Sequence, residues 1–106
     1  MAMPDYLPKH DQIMATRLVA ECLRRGYSLS VYDGEETTVR KSTDREQVLD
    51  ALGSTSDDHL TAWNQTGDCV GKFWLIWGNS EGDTIADYSA NDECETLFEH
   101  AIKPFN

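Results

Sequence analysis

The side chains that could do chemistry in this chain are three histidines (His10, His59, His100), three cysteines (Cys22, Cys69, Cys94) and a surplus of carboxylates. A metal site read from sequence needs ligands that one turn or one helix face brings together, as C-x-x-C and H-x-x-x-H spacings do. No pair here has such spacing. Cys22 and Cys94 fall among apolar residues at helical spacing, where a cysteine packs as a small hydrophobe. Cys69 follows Asp68, whose charge opposes the thiolate a nucleophile requires. Asn79-x-Glu81-Gly82-Asp83 gathers oxygens but lacks the fixed ladder and closing Glu of a calcium loop, so it reads as a solvated turn. Asp57-Asp58-His59 sets a base beside carboxylates, yet spacing identifies no serine or cysteine partner, and one of the two acids is read as a turn cap. Neither G-x-x-x-x-G-K-[ST] nor G-x-G-x-x-G occurs. The chain is therefore expected to be no enzyme, with no metal, no cofactor and no nucleotide held by those loops.

What remains is charge. The 106 residues carry 19 Asp and Glu against 9 Lys and Arg. The imbalance is uneven: residues 1–27 are nearly neutral, whereas from Asp57 onward ten acids face only Lys72 and Lys103. Such a surplus repels anionic lipid and nucleic acid, so neither a membrane nor DNA or RNA is expected as a direct partner. It attracts basic surfaces instead. An apolar fraction of 40% with ten aromatic side chains excludes a disordered acidic tail and supports one core, hence one domain. Met1-Ala2-Met3-Pro4-Asp5 has neither the basic nor the apolar region of a secretory leader. A cytoplasmic setting with reduced thiols is the expectation.

The elements that must position these groups follow from periodicity. Pro4 and Pro8 punctuate residues 1–8, read as a flexible arm. From Lys9, the residues Met14, Leu18 and Cys22 with Ile13, Ala15, Val19 and Leu23 recur at helical spacing, and Gly26 supplies the stop. Residues 28–32 alternate as a strand, Asp33-Gly34 signals a hairpin, and residues 37–40 return. Thr43 with Glu46 predicts a capping box for a short helix burying Val48, Leu49 and Leu52, closed by Gly53. Three strands follow, over residues 60–63, 70–77 and 84–88, with a turn at Thr66-Gly67-Asp68. A last helix, capped by Ser89 or Asn91, buries Cys94, Leu97, Phe98, Ala101 and Ile102 and ends at Pro104. The order α-β-β-α-β-β-β-α with hairpin connections predicts an α+β domain, an antiparallel sheet with helices mainly on one face.

Two features of this arrangement bear on function. Phe73-Trp74-Leu75-Ile76-Trp77 is apolar on both faces of its strand, so either Phe73, Leu75 and Trp77 or Trp74 and Ile76 need cover from outside the helical layer. An uncovered Trp74 would suit a partner or a symmetric homodimer. Asp92, Glu95 and Glu99 lie along one face of the last helix, where like charges oppose each other. Glu81, Asp83 and Asp87 precede them, and a hairpin is expected to bring them near. A solvated acidic face is the plain reading of these residues; an array that fits a basic surface is the functional one.

Val31-Tyr32-Asp33-Gly34-Glu35-Glu36, Ser42-Thr43-Asp44, Gly78-Asn79 and Ile85-Ala86-Asp87-Tyr88 together resemble small uncharacterised proteins of phages and prophages. Anti-CRISPR and other anti-defence inhibitors among such proteins act by occupying a host protein's nucleic-acid groove. The resemblance implies an acidic, DNA-mimicking inhibitor that engages a host protein with a basic surface, and it carries over no site residues. The expected partner-binding residues are Glu81, Asp83, Asp87, Asp92, Glu95, Glu99 and Trp74. A structural protein that self-associates through the aromatic strand is the alternative.

Overall fold

Pro8 opens the first helix, its fixed φ suited to a helix start and its carbonyl accepting from Gln12 N. In the computed structural model, which describes residues 3–105, α1 spans Lys9–Arg24. Met14, Ala15, Leu18, Val19 and Cys22 are wholly buried along one of its faces. Tyr27 N donates to Cys22 O and Gly26 N to Leu23 O, the paired bonds of a Schellman closure. That closure requires the left-handed φ of 87° that Gly26 adopts.

The strands β1 (Ser28–Tyr32), β2 (Thr37–Ser42), β3 (Asp57–Trp63), β4 (Cys69–Ile76) and β5 (Ile85–Tyr88) form one antiparallel sheet in the order β2-β1-β3-β4-β5. With α2 (Arg45–Ala51) and α3 (Asp92–Ile102) the element order is the expected α-β-β-α-β-β-β-α, and the fold is α+β. Period-2 alternation assigns the two faces of the sheet. Leu29, Val31, Val39, Leu60, Ala62, Phe73 and Leu75 point into the helical layer and are buried. The helix α3 seats closely on β4 at Gly71, where a Cβ would collide with Cys94 Sγ. Burying a side chain such as Phe73 or Leu75 contributes about 1.5–3 kcal/mol, so the core face of β4 helps hold α3 to the sheet, while α1 packs on β1 and α3.

Several expectations are corrected. The described part of the arm is docked: Met3 and Leu7 are buried and the Tyr6 hydroxyl donates to Gly53 O. Met1 and Ala2 lie outside the described residues. The cap of α2 is Asp44, whose carboxylate accepts from Glu46 N and Gln47 N, in place of Thr43. The hairpin, by contrast, returns at Thr37 as expected, its loop Asp33 to Glu36 closed by Asp33 accepting from the Glu35 and Glu36 amides. Neither Asp57 nor Asp58 caps a turn. Both belong to β3, and Asp58 is fully buried, accepting from Gly53 N and Trp77 Nε1.

Candidate functional site

The strand β5 is an edge of the sheet, and α3 follows it directly. Asn91 caps α3 by accepting from Cys94 N, and its amide donates to Val70 O, so the helix start is pinned to β4. Glu81 and Asp83 stand in the β4–β5 loop, Asp87 on β5, and Asp92, Glu95 and Glu99 on α3; all six are exposed. Glu95 accepts from the Tyr88 hydroxyl across the β5–α3 junction. Tyr88 stacks on Phe98 and on Phe73, which fixes its ring between strand and helix. Its phenol is pushed above its usual range, first by the bond to Glu95, then by burial and by the charges of Glu95 and Glu99. Glu95 and Glu99 thus both bear on Tyr88. The expected gathering of the hairpin acids at the helix is not met by Asp87, which as register partner of Trp74 lies on the sheet face opposite the helices. Asp92 lies in the first turn of α3, and Gly82, between Glu81 and Asp83, packs by Phe105 just beyond its last turn.

None of these six acids forms an ion pair among the described residues. Of the cations near α3, Arg17 donates to His100 O and Arg25 serves Glu21 and Glu93, while Lys103 follows the last residue of the helix and forms no ion pair among the described residues. Carboxylates on an edge strand also guard it against pairing with another sheet, which is the plain structural use of Asp87.

Trp74 answers the question its strand posed. Phe73 and Leu75 take the core side, Trp77 is half-buried just past the strand end, and Trp74 is 39% exposed on the uncovered face. The register sets Tyr32, His59, Trp74 and Asp87 side by side on β1, β3, β4 and β5. Trp74 stacks on His59, His59 meets Tyr32 edge-on, and the Trp74 indole N–H donates to Asp57 at 2.7 Å. An exposed indole held in this way is a rigid anchor flanked by the carboxylates Asp57 and Asp87. Sequence reasoning nominated Trp74 and Asp87 but missed Asp57, His59 and Tyr32. The alternation in residues 28–32 was the signal for Tyr32, whereas Asp57 and His59 needed the start of β3 to be known.

Asp58 and His59 project to opposite faces of β3 and so form no acid–base pair, whereas His10 Nε2 lies 3.3 Å from Oδ1 of the buried Asp11, which accepts from the Thr84 hydroxyl and Gly78 N. Burial pushes the Cys22 thiol up to about 12, and burial likewise raises Cys94, leaving both protonated. Among the described residues no three His, Cys, Asp or Glu side chains are arranged to hold a metal ion. No helix is long and apolar enough to cross a membrane. Comparison with protein-family models, curated proteins and solved structures finds no match.

Proposed function

We propose that this protein is a non-enzymatic binding module whose β5–α3 edge and Trp74 engage a basic surface of another protein. The observation that carries the reading is the set of six exposed carboxylates on contiguous elements with no cation paired to them among the described residues. An uncompensated array of this kind speeds and orients encounter with a positive partner. Trp74 supplies the contact area such an interface needs at its centre, where aromatic anchors carry most of the affinity. An Arg or Lys of the partner laid on the indole would find Asp57 and Asp87 beside it, combining cation–π attraction with a charge-assisted hydrogen bond.

A surface that ordinarily receives nucleic acid fits this edge best, because carboxylates spaced along a strand and helix stand where phosphates would. An anti-defence inhibitor in the cytoplasm of a phage-infected host, of the anti-CRISPR kind, is the role in keeping with the sequence resemblance. Self-association through the same face has Trp74 and Ile76 in its favour and the charged Lys72, Asp57 and Asp87 around them against it. The test is capture from host lysate at low and moderate salt, with mass-spectrometric identification. The expected result is a basic, nucleic-acid-binding protein whose capture fails as salt rises and fails with the charge-reversed pair Glu95→Lys and Glu99→Lys. Capture that ignores both salt and the reversed pair would remove the acidic edge from the account.

A further inference from the structure

The remainder of the uncovered sheet face differs in kind from the Trp74 row. Ser30, Thr61 and Lys72 are register partners across β1, β3 and β4, and with Tyr32, Thr37, Arg40 and Trp63 they line a groove of about 360 Å³. That volume falls in the lower part of the range of small-molecule sites, about 300–1,000 Å³. Arg40 and Lys72, together with Lys41 on the rim, are three of the nine cations of a chain whose net charge is −10. None of the three forms an ion pair among the described residues. Their gathering on one face therefore has no partner within the described fold.

The backbone is bent to produce this arrangement. The β1–β2 pairing shifts register between Leu29 and Val31, and Lys41 adopts φ 45°, the left-handed region that lysine seldom enters. The Lys41 amide is held there by Ser30 Oγ, and its ammonium lies 4.4 Å from the Trp63 ring centroid. Ser30 Oγ also accepts from Trp63 Nε1, which fixes the indole plane at the groove wall. Ser30 Oγ thus accepts from two donors at the groove, beside its register partner Thr61. Strain of this kind tends to persist where the surrounding structure holds it for use.

We propose that this groove binds a mononucleotide, with the phosphate over Ser30 and Thr61 between Arg40 and Lys72 and the planar base against the exposed ring of Tyr32. Arg40 on β2 and Lys72 on β4 stand three strand spacings apart, about 14 Å between backbones, and both line the groove. Guanidinium, ammonium and hydroxyl donors suit a phosphate, and the tyrosine ring suits a base, while Trp63, on the far side of Ser30 and covered by Lys41, forms the opposite wall. The site uses none of the familiar phosphate loops. A longer nucleic-acid strand is disfavoured because its further phosphates would run towards Asp57, Asp87 and the acidic edge. The groove shares Tyr32 with the Trp74 row, but Ser30, Arg40, Thr61 and Trp63 take no part in the protein-binding proposal, so the Arg40 substitution separates the two.

The test is an NMR titration of the full chain with AMP, and with adenosine and inorganic phosphate as separate arms. The expected result is saturable movement of the Trp63 indole signal and of the Ser30, Thr61 and Lys72 amides with AMP. Adenosine and phosphate each bind at least about tenfold more weakly, and Arg40→Gln with Lys72→Gln lowers AMP affinity at least about tenfold, while Arg45→Gln leaves it unchanged. If the double variant fails to fold, each single substitution carries the same expectation. Absence of shifts at millimolar AMP, or shifts that the Gln variants leave unaltered, would overturn the proposal. Tighter binding of a single-stranded oligonucleotide than of AMP would also overturn it, in favour of a polymer site.

Discussion

Glu21 and Glu95 are both helical glutamates, and the molecule treats them in opposite ways. Glu21, 6% exposed, is gripped by Arg24 and by Arg25, with His100 Nε2 3.8 Å away. Hydrogen bonding from Arg24 first, opposed by burial and reinforced by Arg25, draws its carboxyl down to about 2. Arg25 continues to Glu93, which also accepts from the Tyr27 hydroxyl, so the cluster ties the end of α1 to α3. Glu95 and Glu99 face water on the other side of that helix, and a tyrosine hydroxyl is the one group bonded to Glu95 among the described residues. Charge in the first region is consumed by the fold. Charge in the second is left over, and leftover charge is what a partner can use.

The largest expected effect follows from that contrast in stability. Replacing Glu21 with Gln should cost about 1–2 kcal/mol, the range for hydrogen bonds to charged groups, kept low because Arg24 is 71% exposed. Replacing Glu95 and Glu99 together with Gln should change stability by no more than about 0.5 kcal/mol, as surface substitutions do. Urea unfolding of both variants, with unchanged m-values, measures the difference. Equal losses would abolish the distinction between committed and free carboxylates.

The pH dependence sharpens the same comparison. Glu21 has a folded value below its ordinary 4.5, so its contribution is complete above that value and is lost as pH falls towards about 2. Asp58 behaves in reverse. Burial raises it despite the bonds from Gly53 and Trp77, and Oδ1 has no hydrogen-bond partner among the described residues. Its contribution is present below its ordinary 3.8 and is lost as pH rises through the raised value. Thermal melts across pH should therefore show the acid-side loss diminished in Glu21→Gln and the decline on the higher-pH side flattened in Asp58→Asn. An acid limb identical in wild type and Glu21→Gln would place the titrating group elsewhere.

Most of the fold was legible because periodicity reports burial directly: the α1 stripe, the alternation of β1 and the apolar face of α3 each name their core residues. What escaped were choices that local pattern leaves open. Ser42, Thr43 and Asp44 are all competent caps, and Asp44 takes the role because α2 begins at Arg45, directly after it, with the extended φ −90°, ψ 107° of a cap. Met3 and Leu7, each directly before a proline, show no period, yet both are buried, Leu7 against Gly53. Asp58 looked like loop because nothing in sequence reveals the two N–H groups that meet it inside. Of the candidate site, the six acids named as partner-facing are exposed, but Trp74's neighbours and the Arg40–Lys72 groove depend on register across four strands. No single segment carries that information.

A smaller expected effect concerns Trp74 itself. Its indole is anchored to Asp57 and stacked on His59, on a face whose other residues are largely polar, so the protein alone should sediment as a monomer at micromolar concentration. The variant Trp74→Ser should remain folded and monomeric, losing about 1 kcal/mol of stability at most. A wild-type dimer that this variant dissolves would favour the self-association reading over the partner-binding one.

The most direct measurement is the affinity of the captured partner for wild type and for the Glu95→Lys and Glu99→Lys double variant, each followed across a salt series with circular dichroism as the folding control. Free carboxylates that contact a basic surface predict wild-type affinity that falls steadily with salt, and a double variant that binds far more weakly with an unchanged spectrum. Equal affinity and equal salt dependence in the two proteins would contradict the account, and would mean that the acidic edge serves only to keep the molecule in solution.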